Sequence, residues 1–326
     1  GKMKNNIIFF DSSYPPPIKG GKEKQAHNLA LMLQKKNFKV IALTTNNNFS
    51  LSFSRYQGIL RISVPYILLP LNILVLRLFS NIIHIHTPSR IGFLVLNLSY
   101  FLRFKILFKI PNMNIVGLNQ NRDIQLLKKS NSIICLEKFS YNSLQLIKEK
   151  NNLKSAEIEL LSNMVYLQNY SYKDIKKKIN LVYSSRFVEQ KRPIDFLKLS
   201  IKLKEKGINH QNHLLGDGPL FNELVKFAKD NDIYKYCEFY GMVEDPIKII
   251  SKGNCFISTS SKEGMSNSIL ESMSCGIPVI ATNIGSSDVL LGKYFNEFSY
   301  SPGDINYLYK RILFLYKNID IGRKYS

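Results

Sequence analysis

Apolar and polar positions alternate along this chain in two rhythms. The opening MKNNIIFF (3–10) ends in an unbroken apolar run, the pattern of a strand buried on both faces. A loop rich in Pro and Gly follows from Tyr14 to Gly21, and residues 22–36 then bring Ala26, Leu29, Ala30 and Leu33 onto one face of a helix. Phe38 to Thr44 is a second strand, so the chain opens with a β-α-β unit and a parallel sheet is expected. Further strands are predicted over 81–86, 114–118 and 131–136, and the long apolar stretch GFLVLNLSYFLRFKILFKI (92–110) reads as one helix. The polar, lysine-rich segment 166–178 breaks the pattern and reads as an interdomain linker. The alternation then restarts, with strands at 179–185, 210–215, 237–241, 254–258 and 277–281 and helices at 193–206, 219–229, 245–251, 267–275 and 305–318. Two doubly wound α/β domains in series are predicted, 3–165 and 179–326, with ligands expected at the carboxyl ends of strands and in the cleft between the domains.

Size and composition agree with two soluble domains. The chain has 326 residues, 45% hydrophobic and 21% charged. Gly1-Lys2 before Met3 reads as an expression remnant, and the apolar run after it is too short for a signal peptide. The tract 62–79 is interrupted by Pro65, Pro70, Asn72 and Arg77 and lacks the roughly 20 clean residues of a spanning helix. The cysteines Cys135, Cys237, Cys255 and Cys275 show no C-x-x-C spacing, which fits a reducing cytoplasm and not a zinc or disulfide framework. Charge changes the picture more. Residues 1–178 carry 26 Lys and Arg against 8 Asp and Glu, a net of +18, whereas 179–326 carry only +3 of the total +21. A basic first half implies an anionic partner.

The candidate chemistry lies in the second half, at strand ends. Arg186 follows a strand with Lys191 five residues on, Gly216-Asp217-Gly218-Pro219 is a strand-to-helix turn, and Tyr240-Gly241-Met242-Val243 closes another strand. In KEGMSNSILESMSC (262–275), Ser266 or Asn267 is the N-cap of a helix whose dipole and open N–H groups face the Gly264-Met265-Ser266 turn. Two cations at fixed spacing beside a helix start suit a diphosphate leaving group, stabilising its charge most in the transition state. Glu263 and Glu271 are strong acceptors for hydroxyls on either side, a sugar at Glu263 and a ribose at Glu271. The blander reading, a solvated helix glutamate and a capping residue, is weighed below the functional one because of this context. Asp230-Asn231-Asp232 has the spacing of a metal-binding D-x-D but sits at a helix end, so no metal is expected.

Taken in order, these segments resemble the retaining glycosyltransferases of family 4, which have the GT-B fold of two Rossmann-like domains facing a central cleft. The resemblance spans most of the chain and is strongest over 179–291. It implies that Arg186 and Lys191 grip the nucleotide diphosphate, that Gly216 belongs to the family's G-x-G-P turn, and that backbone near Val243 borders the base. Glu263 to Glu271 matches the family's E-x7-E motif, with Gly264, Met265, Ser266 and Asn267 at the donor. Gly20 and Gly21 match its glycine-rich loop, and HIHTPSRIG (84–92) and 128–144 resemble further family segments. No cofactor is implied beyond the nucleotide-sugar substrate, a UDP-sugar first. Arg186, Lys191 and Glu263 are the expected catalytic residues.

The sequence departs from the family at two points. Where many members carry a histidine after a first-domain strand, this chain has Asn119-Gln120-Asn121, so Asn119 or Gln120 is the candidate sugar contact. The chain also stops at Ser326 without the family's final crossover helix, which leaves either a shortened chain or a weak interdomain clasp. His84 and His86 are read as facing opposite sides of a strand, one packed within the domain and the other, with His86 the candidate, reaching the cleft; His27 is a weaker candidate for the acceptor. Residues 58–79 and 99–110 mix bulky apolar and aromatic side chains with Arg and Lys. They read as core helices in part and as an interfacial surface for anionic lipid in part. The expected partners are thus a sugar-nucleotide donor, a lipid-linked or glycan acceptor and an anionic membrane surface, not nucleic acid, and the expected location is the inner face of the cytoplasmic membrane. A catalytically degenerate nucleotide- or membrane-binding relative is the alternative, and a GT-B sugar-nucleotide epimerase a more remote one.

Overall fold

The computed structural model describes residues 6–16, 21–86, 88–111, 116–117, 119–165 and 178–318. The chain divides into two compact units, Gly1–Met164 and Val165–Ser326. The predicted linker lies outside the described residues except for Lys178.

The first unit contains β1 (Asn6–Phe10), α1 (Gly21–Lys35), β2 (Lys39–Asn46), β3 (Ser52–Tyr56), β4 (Ile59–Pro65), α2 (Leu69–Arg77), β5 (Ile82–Ile85), α3 (Arg90–Phe101), β6 (Lys105–Ile110), α4 (Gln120–Lys129), β7 (Ser132–Cys135), α5 (Lys138–Lys150) and β8 (Glu157–Leu160). Its eight strands lie in the order β3-β4-β2-β1-β5-β6-β7-β8. All neighbours are parallel except β3 and β4, a hairpin turning at Gln57 and Gly58, both with positive φ. The sheet grows in both directions from β1, the arrangement of a doubly wound fold. Phe10, Ile83, Ile85, Ile106 and Phe108 form the middle of its core.

Three sequence expectations change here. The stretch read as one helix over 92–110 is a helix and a strand: α3 stops at Phe101, Arg103 turns the chain at φ 59, and β6 pairs with both β5 and β7. Apolar side chains crowd both elements, so periodicity alone does not reveal the break. The strand read at 114–118 is replaced in the sheet by β6. Of that segment only Val116 and Gly117 are described, and they form a bend. The tract 58–79 is likewise not all helix: β4 fills its first part, and α2 begins beyond Pro65 with Pro70 in its first turn.

The second unit contains β9 (Ile179–Ser184), α6 (Pro193–Glu205), β10 (His210–Leu215), α7 (Phe221–Asp230), β11 (Cys237–Gly241), α8 (Ile247–Ile250), β12 (Cys255–Ser258), α9 (Asn267–Ser274), β13 (Val279–Thr282), α10 (Ser287–Leu291), α11 (Phe295–Phe298), β14 (Ser299–Tyr300) and α12 (Ile305–Lys317). Its six strands run β11-β10-β9-β12-β13-β14, all parallel. Leu181, Val182, Leu214, Phe256 and Val279 are buried beneath covering helices, and the ring of Phe196 of α6 packs tilted against that of Tyr183 at 5.3 Å. β9, β12 and β13 read as largely apolar runs, as strands covered on both faces do, while β10 (HQNHLL) buries His210, Asn212 and His213 among its apolar neighbours.

The first unit also buries a cation. Lys109 of β6 donates to Asn163 Oδ1 at 3.0 Å, and burial pushes its ammonium down to about 8 from 10.5, against the attraction of Asp11. Between those values the unfolded chain still holds the proton that the folded chain has released. Stability therefore rises with pH across this window, and the burial penalty is fully present below it. Lys109→Met is expected to raise Tm relative to the wild type most at pH 7, with the difference shrinking as pH approaches 10.5, read by thermal unfolding across that range.

Candidate functional site

The carboxyl edge of the second sheet is built from close backbone contacts. Gly216 follows β10 at φ +135, and a Cβ there would stand 1.8 Å from the Ser185 carbonyl oxygen after β9. Gly218 presses as closely on Phe187, where a Cβ would lie 2.4 Å from the carbonyl oxygen. Phe187 N–H donates to Asp217 O at 2.9 Å, and Gly216 N–H donates to Gly241 O at 2.8 Å, so three loops lock together. Val243, just beyond, packs partly against the core. Only glycine supplies these contacts at these dihedrals.

Arg186 and Lys191 lie on the loop between β9 and α6. Arg186 is exposed, and the short turn Glu189–Lys191 carries the lysine inward. Lys191 Nζ meets Glu263 Oε1 at 2.5 Å, with both side chains 19% exposed. Glu263 Oε2 accepts from Ser260 Oγ at 2.9 Å. The two loops are joined again: the Gln190 side chain donates from Nε2 to Lys262 O at 2.8 Å, and backbone Ser261 N–H donates to Gln190 O at 2.9 Å. Thr259 Oγ1 donates to the Lys191 carbonyl at 2.7 Å, and Tyr183 OH donates to the same oxygen at 3.0 Å. Burial drives the Tyr183 phenol well up, so it remains a neutral donor.

The Glu263–Gly264 turn leads into α9. Ser266 is its N-cap, accepting from Ile269 N–H at 3.5 Å, which decides between the two residues the sequence leaves open. Gly285 after β13 supports the turn from behind: a Cβ there would sit 2.3 Å from Glu263 O, and Ser286 N–H donates to Gly264 O at 3.2 Å. Met265 is buried, Asn267 begins the helix, and Glu271 lies half-buried in its second turn. A hollow of about 10 Å³, room for roughly one water, lies among Ser258, Ser260, Glu263, Gly264, Ser266 and Thr282. The supporting hydroxyls of Thr259, Ser260 and Thr282 escape the sequence reading. For Thr259 and Ser260 the signal is the run Ser258-Thr259-Ser260-Ser261 at the end of an apolar strand; Thr282 ends the next strand.

In the first unit, Gly20 lies outside the described residues, and Gly21 opens α1. His84 and His86 do not face opposite sides. Their rings are 5.6 Å apart and both stand against Phe9, because residues two apart share one face of a strand. Burial pushes His84 down to about 3 and His86 well below its ordinary value, so both are neutral at pH 7. His27 is held at both nitrogens, by Tyr14 OH at 2.9 Å and Gln57 Oε1 at 3.1 Å. Asn119 is the N-cap of α4, accepting from Arg122 N–H at 3.0 Å. Asp230 and Asp232 stand at the end of α7, with Asp232 3.9 Å from Lys204.

Comparison with known proteins bears on this geometry. Residues 169–325 match the family model of the group 1 glycosyl transferases, a range that holds every site residue of the second unit. The chain is 29% identical over 125 residues to an uncharacterized glycosyltransferase of Methanocaldococcus jannaschii, covering 36% of this chain and 31% of that one. It is 27% identical over 165 residues to UDP-Gal:alpha-D-GlcNAc-diphosphoundecaprenol alpha-1,3-galactosyltransferase of Escherichia coli, covering 46% and 43%. The chain thus spans less than half the length of these curated relatives. Among solved structures, Anabaena HepE in complex with UDP and glucose superposes with a TM-score of 0.75 at 15% identity, covering 98% of this chain and 93% of that one. The fold is the two-domain Rossmann-like fold of the GT-B glycosyltransferases.

The glycine contacts give a direct check. Gly216→Ala is expected to cost at least ~2 kcal/mol in urea unfolding, because backbone must move or hold a strained dihedral. UDP binding, read by calorimetry, is expected to weaken with it.

Proposed function

We propose that the protein is a retaining hexosyltransferase that moves a sugar from a nucleotide diphosphate donor, a UDP-sugar first, to a lipid-linked or glycan acceptor at an anionic membrane surface. The reaction would belong to bacterial surface polysaccharide or lipopolysaccharide synthesis, on the cytoplasmic face of the membrane. The observation that carries this reading is the 2.5 Å pairing of Lys191 with Glu263 at the entrance to α9. It sets a cation, a carboxylate and a helix N-terminus side by side at the carboxyl edge of one sheet.

The chemistry follows from that placement. Breaking the bond from sugar to phosphate leaves negative charge on the diphosphate. Arg186 and Lys191 supply countercharge, and the α9 start supplies N–H donors and the positive end of its dipole. No resident metal is invoked, because this pair already provides positive charge. Glu263 holds Lys191 oriented before the donor arrives and accepts from hexose hydroxyls afterwards, while Glu271 accepts from the ribose. Gly264, Met265, Ser266 and Asn267 line the donor turn, and backbone near Val243 borders the base. In the retaining family that the sequence resembles, the donor's own phosphate oxygen takes the acceptor proton. The neutrality of His84 and His86 is compatible with that course.

The galactosyltransferase relative supports the nucleotide sugar and the diphosphoundecaprenol class of acceptor, and the UDP complex of the structural neighbour supports the uridine base. Asn119, whose side-chain oxygen is engaged as a helix cap, favours a second reading in which the protein binds a nucleotide without turnover. Two measurements separate them. UDP at about 100 times its Kd is expected to stabilise the protein by ~2.7 kcal/mol, seen as a raised Tm, in both readings. Release of UDP from a UDP-sugar in the presence of acceptor is expected only of the enzyme. Arg186→Ala and Lys191→Ala are each expected to lower it by about 100-fold or more, and wild-type rates in either variant would refute the site.

A further inference from the structure

Helix α2 is apolar on both sides. Leu69, Ile73 and Leu76 are buried against the first unit, while Leu71 and Leu74 stand 58% and 51% exposed, continued by Ile67 in the 3-10 turn before the helix (77%) and Leu78 directly after it (69%). Their spacings of four, three and four put them in one stripe along the outer face. A helix apolar all round calls for a second covering surface.

At the amino edge of the sheet this stripe meets further exposed rings. Phe79 O accepts from Asn6 Nδ2 at the start of β1, and Arg77 Nε donates to Leu102 O at 2.9 Å, which ties the end of α2 to the end of α3. Phe79, Tyr100 and Phe101 are exposed there. Beside them lies a groove of about 640 Å³ lined by Tyr100, Phe101, Arg103, Lys105, Lys128 and Lys129, with no carboxylate in its wall. Ser130, at its floor, is buried with a hydroxyl that has no hydrogen-bond partner among the described residues. Over residues 24–122 the chain holds 12 Lys and Arg and not one Asp or Glu. Among the described residues no helix is long and apolar enough to cross a membrane.

We infer that the outer face of α2 and the neighbouring groove form a docking surface for an anionic phospholipid bilayer. The leucine stripe and Phe101 enter the acyl boundary, and the groove takes an anionic headgroup between Arg103, Lys105 and Lys128. The inference rests on the membrane part of the proposed function and assigns it to residues. The charge selects the occupant. A stripe in a stretch of chain without Asp or Glu, beside a groove lined by cations and an orphan hydroxyl, matches a surface that is apolar inside and negative at its rim. Bases have no use for a leucine stripe, and a second copy would bring the same cations against these.

Co-sedimentation of the whole chain with vesicles tests this. Wild type is expected to bind vesicles of phosphatidylcholine mixed with phosphatidylglycerol at least about tenfold better than phosphatidylcholine alone, and less well as salt rises. Leu74→Gln with Leu78→Gln, both exposed, is expected to lower that binding about tenfold or more. Lys105→Glu with Lys128→Glu is expected to erase the preference for anionic vesicles. Equal binding to both vesicles, no binding by wild type, or leucine variants that bind like wild type would overturn the inference. So would a wild-type dimer in gel filtration that the leucine variants turn into a monomer, since the face would then be covered by a second copy. Each variant is also tested for a UDP-induced rise in Tm. A wild type that binds vesicles but ignores UDP removes the sugar-nucleotide reading alone, and one that binds UDP but no vesicles removes this inference together with the membrane part of the proposed function, leaving the sugar-nucleotide reading in place.

Discussion

The pairing of Lys191 with Glu263 is the contact around which the second unit's strand-end loops are arranged. The residues are 72 apart in sequence and belong to loops that follow different strands. Neither charge is well solvated, so each depends on the other, and loss of one partner would strand the other in a poor dielectric. Around the pair the loops are stitched by bonds from Gln190, Thr259, Ser260 and Ser261. The pair is also chemically apt. It keeps a cation fixed next to a helix start, and the carboxylate doing so is itself an acceptor for hydroxyls.

Packing against this pair uses backbone in place of side chains. Gly216 and Gly218 let their turn press onto the β9 loop, and Gly285 lets the β13 loop press onto Glu263 and Gly264. These contacts set the position of α9 relative to the cation loop to within the tolerance of van der Waals radii. A site assembled this way is pre-organised, which matters where charge develops only as a bond breaks. Helix α9, of eight residues, is short, so its placement comes from these neighbours and not from its own stability.

The first unit is built on a different balance. Its cations are spread over helices and strand starts, one is buried outright at Lys109, and its outer helix presents leucine to solvent. The two features share a physical basis. A surface with few carboxylates is poor at pairing within itself, so its charges and its apolar face are both left for something external to satisfy.

The sequence by itself determined most of the second unit. β9, β12 and β13 are largely apolar runs, and glycines and hydroxyls mark strand ends, so these strands and the position of Arg186, Lys191, Gly216 and Glu263 on strand-end loops and of Glu271 on a helix are legible from local pattern. It was less informative where apolar side chains fill helix and strand alike. That is why α3 and β6 read as one helix and why the periodicity puts the next strand at 114–118 instead of 105–110. The shared face of His84 and His86 follows from the strand period of two. Tertiary structure alone decided which partners meet. That Lys191 reaches Glu263, and that one side of α2 finds no cover among the described residues, depend on distances between segments far apart in the chain. Composition and periodicity carry no such distances, because they describe what each residue prefers and not what stands opposite it.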